Sequence, residues 1–82
     1  MVVVKLYATL RGFTGEKEIS MKADTVEDVF SSLVSSYGED FQKKLDSATV
    51  LVNGQNIAHL KGRKTRLQDG DTVSLFPPLG GG

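Results

Sequence analysis

One stretch of this chain carries a clear helical period. Val26, Val29, Phe30, Leu33, Val34 and Tyr37 advance by three, one, three, one and three residues, which draws a single apolar stripe along a helix. Before and after it the apolar residues mostly alternate or stand in short β-branched runs. A helix with one stripe has to lie on something, and the flanking segments supply a sheet, so the chain is restricted to a two-layer α+β domain. Its 82 residues, 39% of them hydrophobic, suffice for one compact core and leave no room for a second.

The helix is marked at both ends. Asp24 or Thr25 can cap it, with Glu27 or Asp28 respectively three residues on, as a capping box requires. Gly38 is placed to close it in the left-handed conformation, and Phe41 and Leu45 pack a short following turn against the same core. Residues 2–10 read as a strand, with Val2, Val4, Leu6 and Ala8 on one face and Lys5, Tyr7 and Thr9 on the other. Gly12 and Gly15 mark a turn, and residues 16–21 return as a second strand with Ile19 and Met21 inward, which makes an antiparallel hairpin. After Ser47, residues 49–52 lead into Asn53-Gly54, the strongest hairpin signal in the chain, where Asn53 tolerates positive φ, and residues 55–58 form the return arm. Leu60 and Leu67 are apolar anchors on either side of a basic loop. Asp69-Gly70-Asp71 is a turn rather than a carboxylate pair, and residues 72–76 are the last strand. The expected fold is one mixed sheet of four to five strands with one main helix across one face.

Composition removes several kinds of chemistry. With no cysteine there is no disulfide scaffold, thiol nucleophile, iron–sulfur cluster or thiolate zinc site. The single histidine, His59, has no second ligand or nucleophile near it in sequence, so no metal site is expected. No apolar run is long enough for a membrane span and the start lacks a secretory pattern, so the expectation is a cytoplasmic protein without a membrane partner. Ten acids and ten bases cancel, which argues against nucleic acid. The charge is unevenly placed, however. Residues 16–46 hold eight acids against four lysines, whereas residues 61–66 hold Lys61, Arg63, Lys64 and Arg66 with no acid. The plain reading of that loop is solvated surface; the alternative is a plain interaction domain that binds an acidic partner or nucleic acid through it.

The C-terminus reads Pro77-Pro78-Leu79-Gly80-Gly81-Gly82. Two prolines stop a sheet ladder and give a stiff stem, while terminal glycines bury nothing and are costly to order. What such an end offers is access: a backbone without side chains can thread a narrow channel and present its carboxylate, over a reach of at most ~14 Å from Leu79 to Gly82. Phe76 follows Val73 and Leu75 by alternation onto the face away from the helix, where Tyr7 can join it in a surface patch.

With these elements in hand, the chain resembles the ubiquitin-like β-grasp sulfur carriers of the MoaD/ThiS family, most of all the small subunit of molybdopterin synthase. The likeness runs through Val4-Lys5-Leu6-Tyr7-Ala8-Thr9-Leu10-Arg11 with Gly15 after it, Thr25-Val26-Glu27-Asp28-Val29, Leu51-Val52-Asn53-Gly54, Leu67-Gln68-Asp69-Gly70-Asp71-Thr72-Val73, and Phe76-Pro77-Pro78 before Gly81-Gly82. It implies a β-grasp domain over residues 1–76 and a flexible carrier tail over 77–82. It further implies a non-catalytic protein with no bound cofactor. Its Gly82 carboxylate would be adenylated at the expense of ATP by a ubiquitin-activating-type enzyme and converted to a thiocarboxylate. Gly80 and Gly81 would keep the approach clear. Phe76, Pro77, Pro78 and Leu79 would contact partners, including the large subunit of molybdopterin synthase, in which the sulfur is passed to the pterin dithiolene. Two alternatives share the activated end: a protein modifier joined through Gly82 to target lysines, and a sulfur carrier serving thiamine or another product.

Overall fold

The computed structural model describes residues 1–78. Five strands, β1 (Val2–Leu6), β2 (Glu18–Met21), β3 (Thr49–Val52), β4 (Gln55–Asn56) and β5 (Thr72–Phe76), form one mixed sheet in the order β2-β1-β5-β3-β4. The last strand therefore runs through the centre, parallel to β1 and antiparallel to β3. Its register lines up Val4, Val73 and Val52 in one row and Leu6, Leu75 and Val50 in the next. All six are buried. Each contributes roughly 1.5–3 kcal/mol through the apolar surface it removes from water.

Three helices cover that buried face: α1 (Ala8–Thr14), α2 (Val26–Tyr37) and α3 (Glu39–Asp46). On α2 the expected stripe is in place, with Val26, Val29, Phe30 and Leu33 buried and Val34 and Tyr37 packed beside them. Of the two candidate caps it is Thr25 that acts. The Asp28 N–H donates to Thr25 Oγ1 at 3.2 Å, while Asp28 Oδ2 accepts from the N–H groups of Thr25 and Asp24 at 3.1 and 3.0 Å. Asp24 is thus served by the box rather than forming it.

Four expectations need correction. The first strand stops at Leu6, and residues 8–14 form α1 instead of more strand and a turn. Seven residues containing Thr and Gly have little helical tendency of their own. Burial decides the matter: Leu10 is fully buried, and the Phe13 ring lies 5.3 Å from that of Phe41. The entry is achieved at Ala8, whose φ of +51° is uncommon for a side-chain-bearing residue. Second, Gly38 has a positive φ of 88° but an extended ψ of −175°, a region essentially restricted to glycine. This breaks α2 and starts α3 within one residue, so Phe41 and Leu45, both buried, ride on a full helix rather than a short turn. Third, the return arm after Asn53-Gly54 keeps only Gln55 and Asn56 in the sheet. The Asn56 side chain accepts the Ala58 N–H at 2.9 Å and turns residues 57–59 into a 3-10 segment. Fourth, Leu60 is no core anchor, being 39% exposed, whereas Leu67 is buried as expected.

Asn53 does more than adopt its φ of +50°. Its amide donates to Asp71 Oδ1 and its Oδ1 accepts the Thr72 N–H, both at 2.9 Å, which ties the β3–β4 turn to the start of β5. Asp71 also accepts the Gln68 N–H at 2.8 Å. The Gln68 bond first and the Asn53 bond second hold the Asp71 carboxyl below its ordinary range. Among the described residues no helix is long and apolar enough to cross a membrane.

Candidate functional site

β5 carries the chain out of the sheet beside two other termini: the end of β1, where Tyr7 leads into α1, and the start of β3. Phe76 is paired with Thr49, and the Tyr7 N–H donates to the Leu75 carbonyl at 3.2 Å. Because Val73 and Leu75 point into the core, Phe76 emerges on the face that no helix covers. There its ring stacks on Tyr7, with centroids 4.3 Å apart and planes within 11°. Tyr7 is 37% exposed, and Phe76, Pro77 and Pro78 are all half-buried. The stem leaving the domain is therefore supported on one side by an aromatic pair, and neither proline has an N–H with which to extend the ladder. Leu79, Gly80, Gly81 and Gly82 lie outside the described residues.

The same face continues across the sheet. Register aligns Lys5, Ser74 and Leu51 on neighbouring strands, and all three, together with Val3, are half-buried on the side away from the helices. Lys5 stands opposite Glu18 on β2. Strand alternation in the sequence already places Lys5 and Tyr7 on this face and lets Phe76 join Tyr7, and the pairing of the strands adds Val3, Leu51 and Ser74 to them. A mixed aliphatic and aromatic surface with little charge is the composition of the desolvated centre of a protein interface.

Elsewhere the candidate residues are separated from this face by their place in the fold. His59 is exposed on the 3-10 segment after β4. Asp69 pairs with the N-terminal ammonium of Met1, and Asp71 serves the turn into β5. Among the described residues no group of three His, Asp or Glu is gathered so as to hold a metal ion. What the described residues offer is a sheet face with a stacked aromatic pair at the point where β5 gives way to Pro77 and Pro78.

A mixed sheet with its final strand at the centre, helices on one face, and a two-proline stem at the exit defines a ubiquitin-like β-grasp domain of the carrier type. The chain belongs to the ThiS family, whose family model matches residues 4–82, and is thus one of the ubiquitin-like sulfur carriers and modifiers. It is 40% identical to small archaeal modifier protein 3 of Haloferax volcanii, over 96% of each chain. To sulfur carrier protein CysO of Mycobacterium tuberculosis it is 29% identical, over 99% of this chain and 98% of that one. The solution structure of small archaeal modifier protein 1 from Methanosarcina acetivorans superimposes with a TM-score of 0.86 at 34% identity, covering 99% of this chain and 95% of that chain.

Proposed function

We propose that Gly82 is the carrier site and that the domain exists to present it. A terminal carboxyl has a reference pKa of roughly 3.3–3.7, so at neutral pH it is an anion and a poor electrophile. Activation requires a leaving group. Its oxygen attacks the α-phosphorus of ATP in an activating enzyme, releasing pyrophosphate and leaving an acyl-adenylate. A hydrosulfide-level donor then adds at the acyl carbon and expels AMP, which leaves a thiocarboxylate. Gly80 and Gly81 let the strand enter a channel without side-chain clashes, and Phe76, Pro77, Pro78 and Leu79 hold it against the partner. The observation that supports the reading is the Tyr7–Phe76 stack, because it anchors the chain to the domain at the residue directly before the Pro77-Pro78 stem.

The destination proposed for the sulfur is the dithiolene of molybdopterin, with the chain acting as the small subunit of the synthase. The support is the combination of Leu67-Gln68-Asp69-Gly70-Asp71-Thr72-Val73 with Phe76-Pro77-Pro78 and a glycine end. A second reading is favoured by the likeness to two small archaeal modifier proteins: the same adenylate is attacked by a lysine amine, which gives an isopeptide bond and AMP. Both readings place the protein in the cytoplasm, where ATP and reduced sulfur are available, and neither requires a bound cofactor, a metal, nucleic acid or a membrane.

Incubation with the activating enzyme of the same cell, ATP and sulfide tests the shared step. The intact mass is expected to rise by the difference between one sulfur and one oxygen, and a variant lacking Gly82 is expected to stay unchanged. An unchanged wild-type mass with an enzyme that adenylates another carrier contradicts the proposal. Adding the molybdopterin synthase large subunit and its pterin precursor, or a cell extract, then separates the destinations by dithiolene formation or a ladder of Gly82-dependent conjugates.

A further inference from the structure

The basic loop at residues 61–66 is built rather than loose. Thr65, 8% exposed, donates its hydroxyl to the Gly62 carbonyl at 2.6 Å and accepts the Lys61 N–H at 3.1 Å. The loop is also fastened to the start of α2: the Val26 N–H donates to the Thr65 carbonyl at 3.1 Å, the Leu67 N–H donates to the Asp24 carbonyl at 2.8 Å, and Arg66 bridges Thr25. Its four cations then divide into two kinds. Arg63, although at the surface, is engaged by its own chain, with its guanidinium 4.5 Å from the Phe30 ring centre and paired with Asp46 at 2.6 Å and Glu27 at 3.6 Å. Lys61, Lys64 and Arg66 are exposed and make no ion pair among the described residues.

We infer that Lys61, Lys64 and Arg66 form an electrostatic docking surface for an acidic patch on the activating enzyme. The inference rests on the carrier reading and adds a recognition element to it that the tail does not supply. A backbone fixed by Thr65 holds the attachment points of the three charges in place, so association has to order their side chains but not the loop. Two observations favour a protein over nucleic acid as the occupant. The Asp24 carbonyl accepts the Leu67 N–H at 2.8 Å and Glu27 lies 3.6 Å from Arg63, so acids border the loop, and a polyanion long enough to run past the cations would meet them where a bounded acidic patch would not. Leu60, 39% exposed next to Lys61, adds an apolar residue of the sort that protein interfaces bury.

The test is ATP–pyrophosphate exchange by the activating enzyme of the same cell, with the full chain as substrate at increasing salt. Replacing the three residues together (K61Q, K64Q, R66Q) is expected to raise the KM for the carrier about tenfold at low salt with kcat unchanged. It should also flatten the rise in KM that salt causes with the wild-type chain. Thermal melts verify that the triple variant is folded. Arg63→Gln removes one charge from the same loop at an internally paired position and is expected to lower the melting temperature while leaving KM within about twofold. An unchanged KM in the triple variant, or an equal KM increase in Arg63→Gln, overturns the inference while the carrier reading stands. An absence of exchange with the wild-type chain overturns both. Salt-sensitive binding of the wild type to a duplex oligonucleotide, lost in the triple variant and without any KM effect, would assign the loop to nucleic acid instead.

Discussion

The ring of Phe76 lies flat on that of Tyr7, with centroids 4.3 Å apart and an angle of 11° between the planes. Tyr7 directly follows β1 and Phe76 ends β5, two parallel neighbours in the sheet, so the stack clamps the end of the last strand to the end of the first. Such a pair is worth about 1 kcal/mol beyond the area it covers. A double-mutant cycle with Tyr7→Ala and Phe76→Ala, read by urea unfolding, should return a coupling of that size, about 1 kcal/mol. A coupling of zero would mean that the two rings are neighbours without consequence. Phe76→Ala should also weaken adenylation more than it weakens the fold.

Phe41 is the largest of the fully buried side chains among the described residues. Its ring lies 5.3 Å from both Phe13 and Tyr37, so it joins α1 to the α2–α3 pair. Phe41→Ala should cost about 3–5 kcal/mol, against a total of about 4–12 kcal/mol for a domain of this size. Thermal denaturation followed by circular dichroism is expected to fall by about 15 °C or more. A drop of only a few degrees would show that α1 does not depend on this contact.

Two glycines should respond in opposite directions. Neither has an atom within 4 Å of where a Cβ would go, so packing is not at issue at either. At Gly38, with φ at +88°, an alanine is strained by the backbone alone and should cost about 1–3 kcal/mol. Gly12 lies inside α1 with no such φ, and Gly12→Ala should stabilise by about 0.5–1 kcal/mol. Chemical denaturation of the two variants side by side checks the contrast, and equal signs would contradict it.

Acid should loosen the turn that leads into β5. The Asp71 carboxyl is held below its ordinary 3.8 by the Gln68 N–H and then by the Asn53 amide. In the folded protein it therefore releases its proton more readily than in the unfolded chain. The stability this contributes is present above pH 3.8 and is lost as the pH falls from there through the folded-state value. Asp71→Asn should lower stability by about 1 kcal/mol at neutral pH and flatten that part of the acid limb. Melting temperatures measured from neutral pH down into the acid range would show whether the two profiles converge.

Much of this architecture is written in the order of residues. The stripe from Val26 to Tyr37, the Thr25–Asp28 box and the alternation in β5 are local signals, and each corresponds to one local structure. What the order of residues hides is decided at a distance. Residues 8–10 continue an alternation that favours strand and Gly12 and Gly15 suggest a turn, and only the burial of Leu10 and the contact of Phe13 with the Phe41 ring turn residues 8–14 into α1. Asn56, a residue that favours helix caps, ends β4 by accepting the Ala58 N–H, against the hairpin that Asn53-Gly54 leads one to extend. The site divides in the same way: the pairing of Phe76 with Tyr7 follows from alternation, whereas the separate fate of Arg63 requires Glu27 and Phe30 on α2 and Asp46 on α3 to be brought to it from elsewhere in the chain.

The central claim is that Gly82 bears the cargo, and intact mass spectrometry of the protein isolated from its own cells tests it most directly. The account predicts a fraction carrying sulfur in place of one terminal oxygen, or joined through Gly82 to a lysine, and its disappearance when the activating enzyme is deleted. A terminus that is always a free carboxylate, with no change on that deletion, would contradict it.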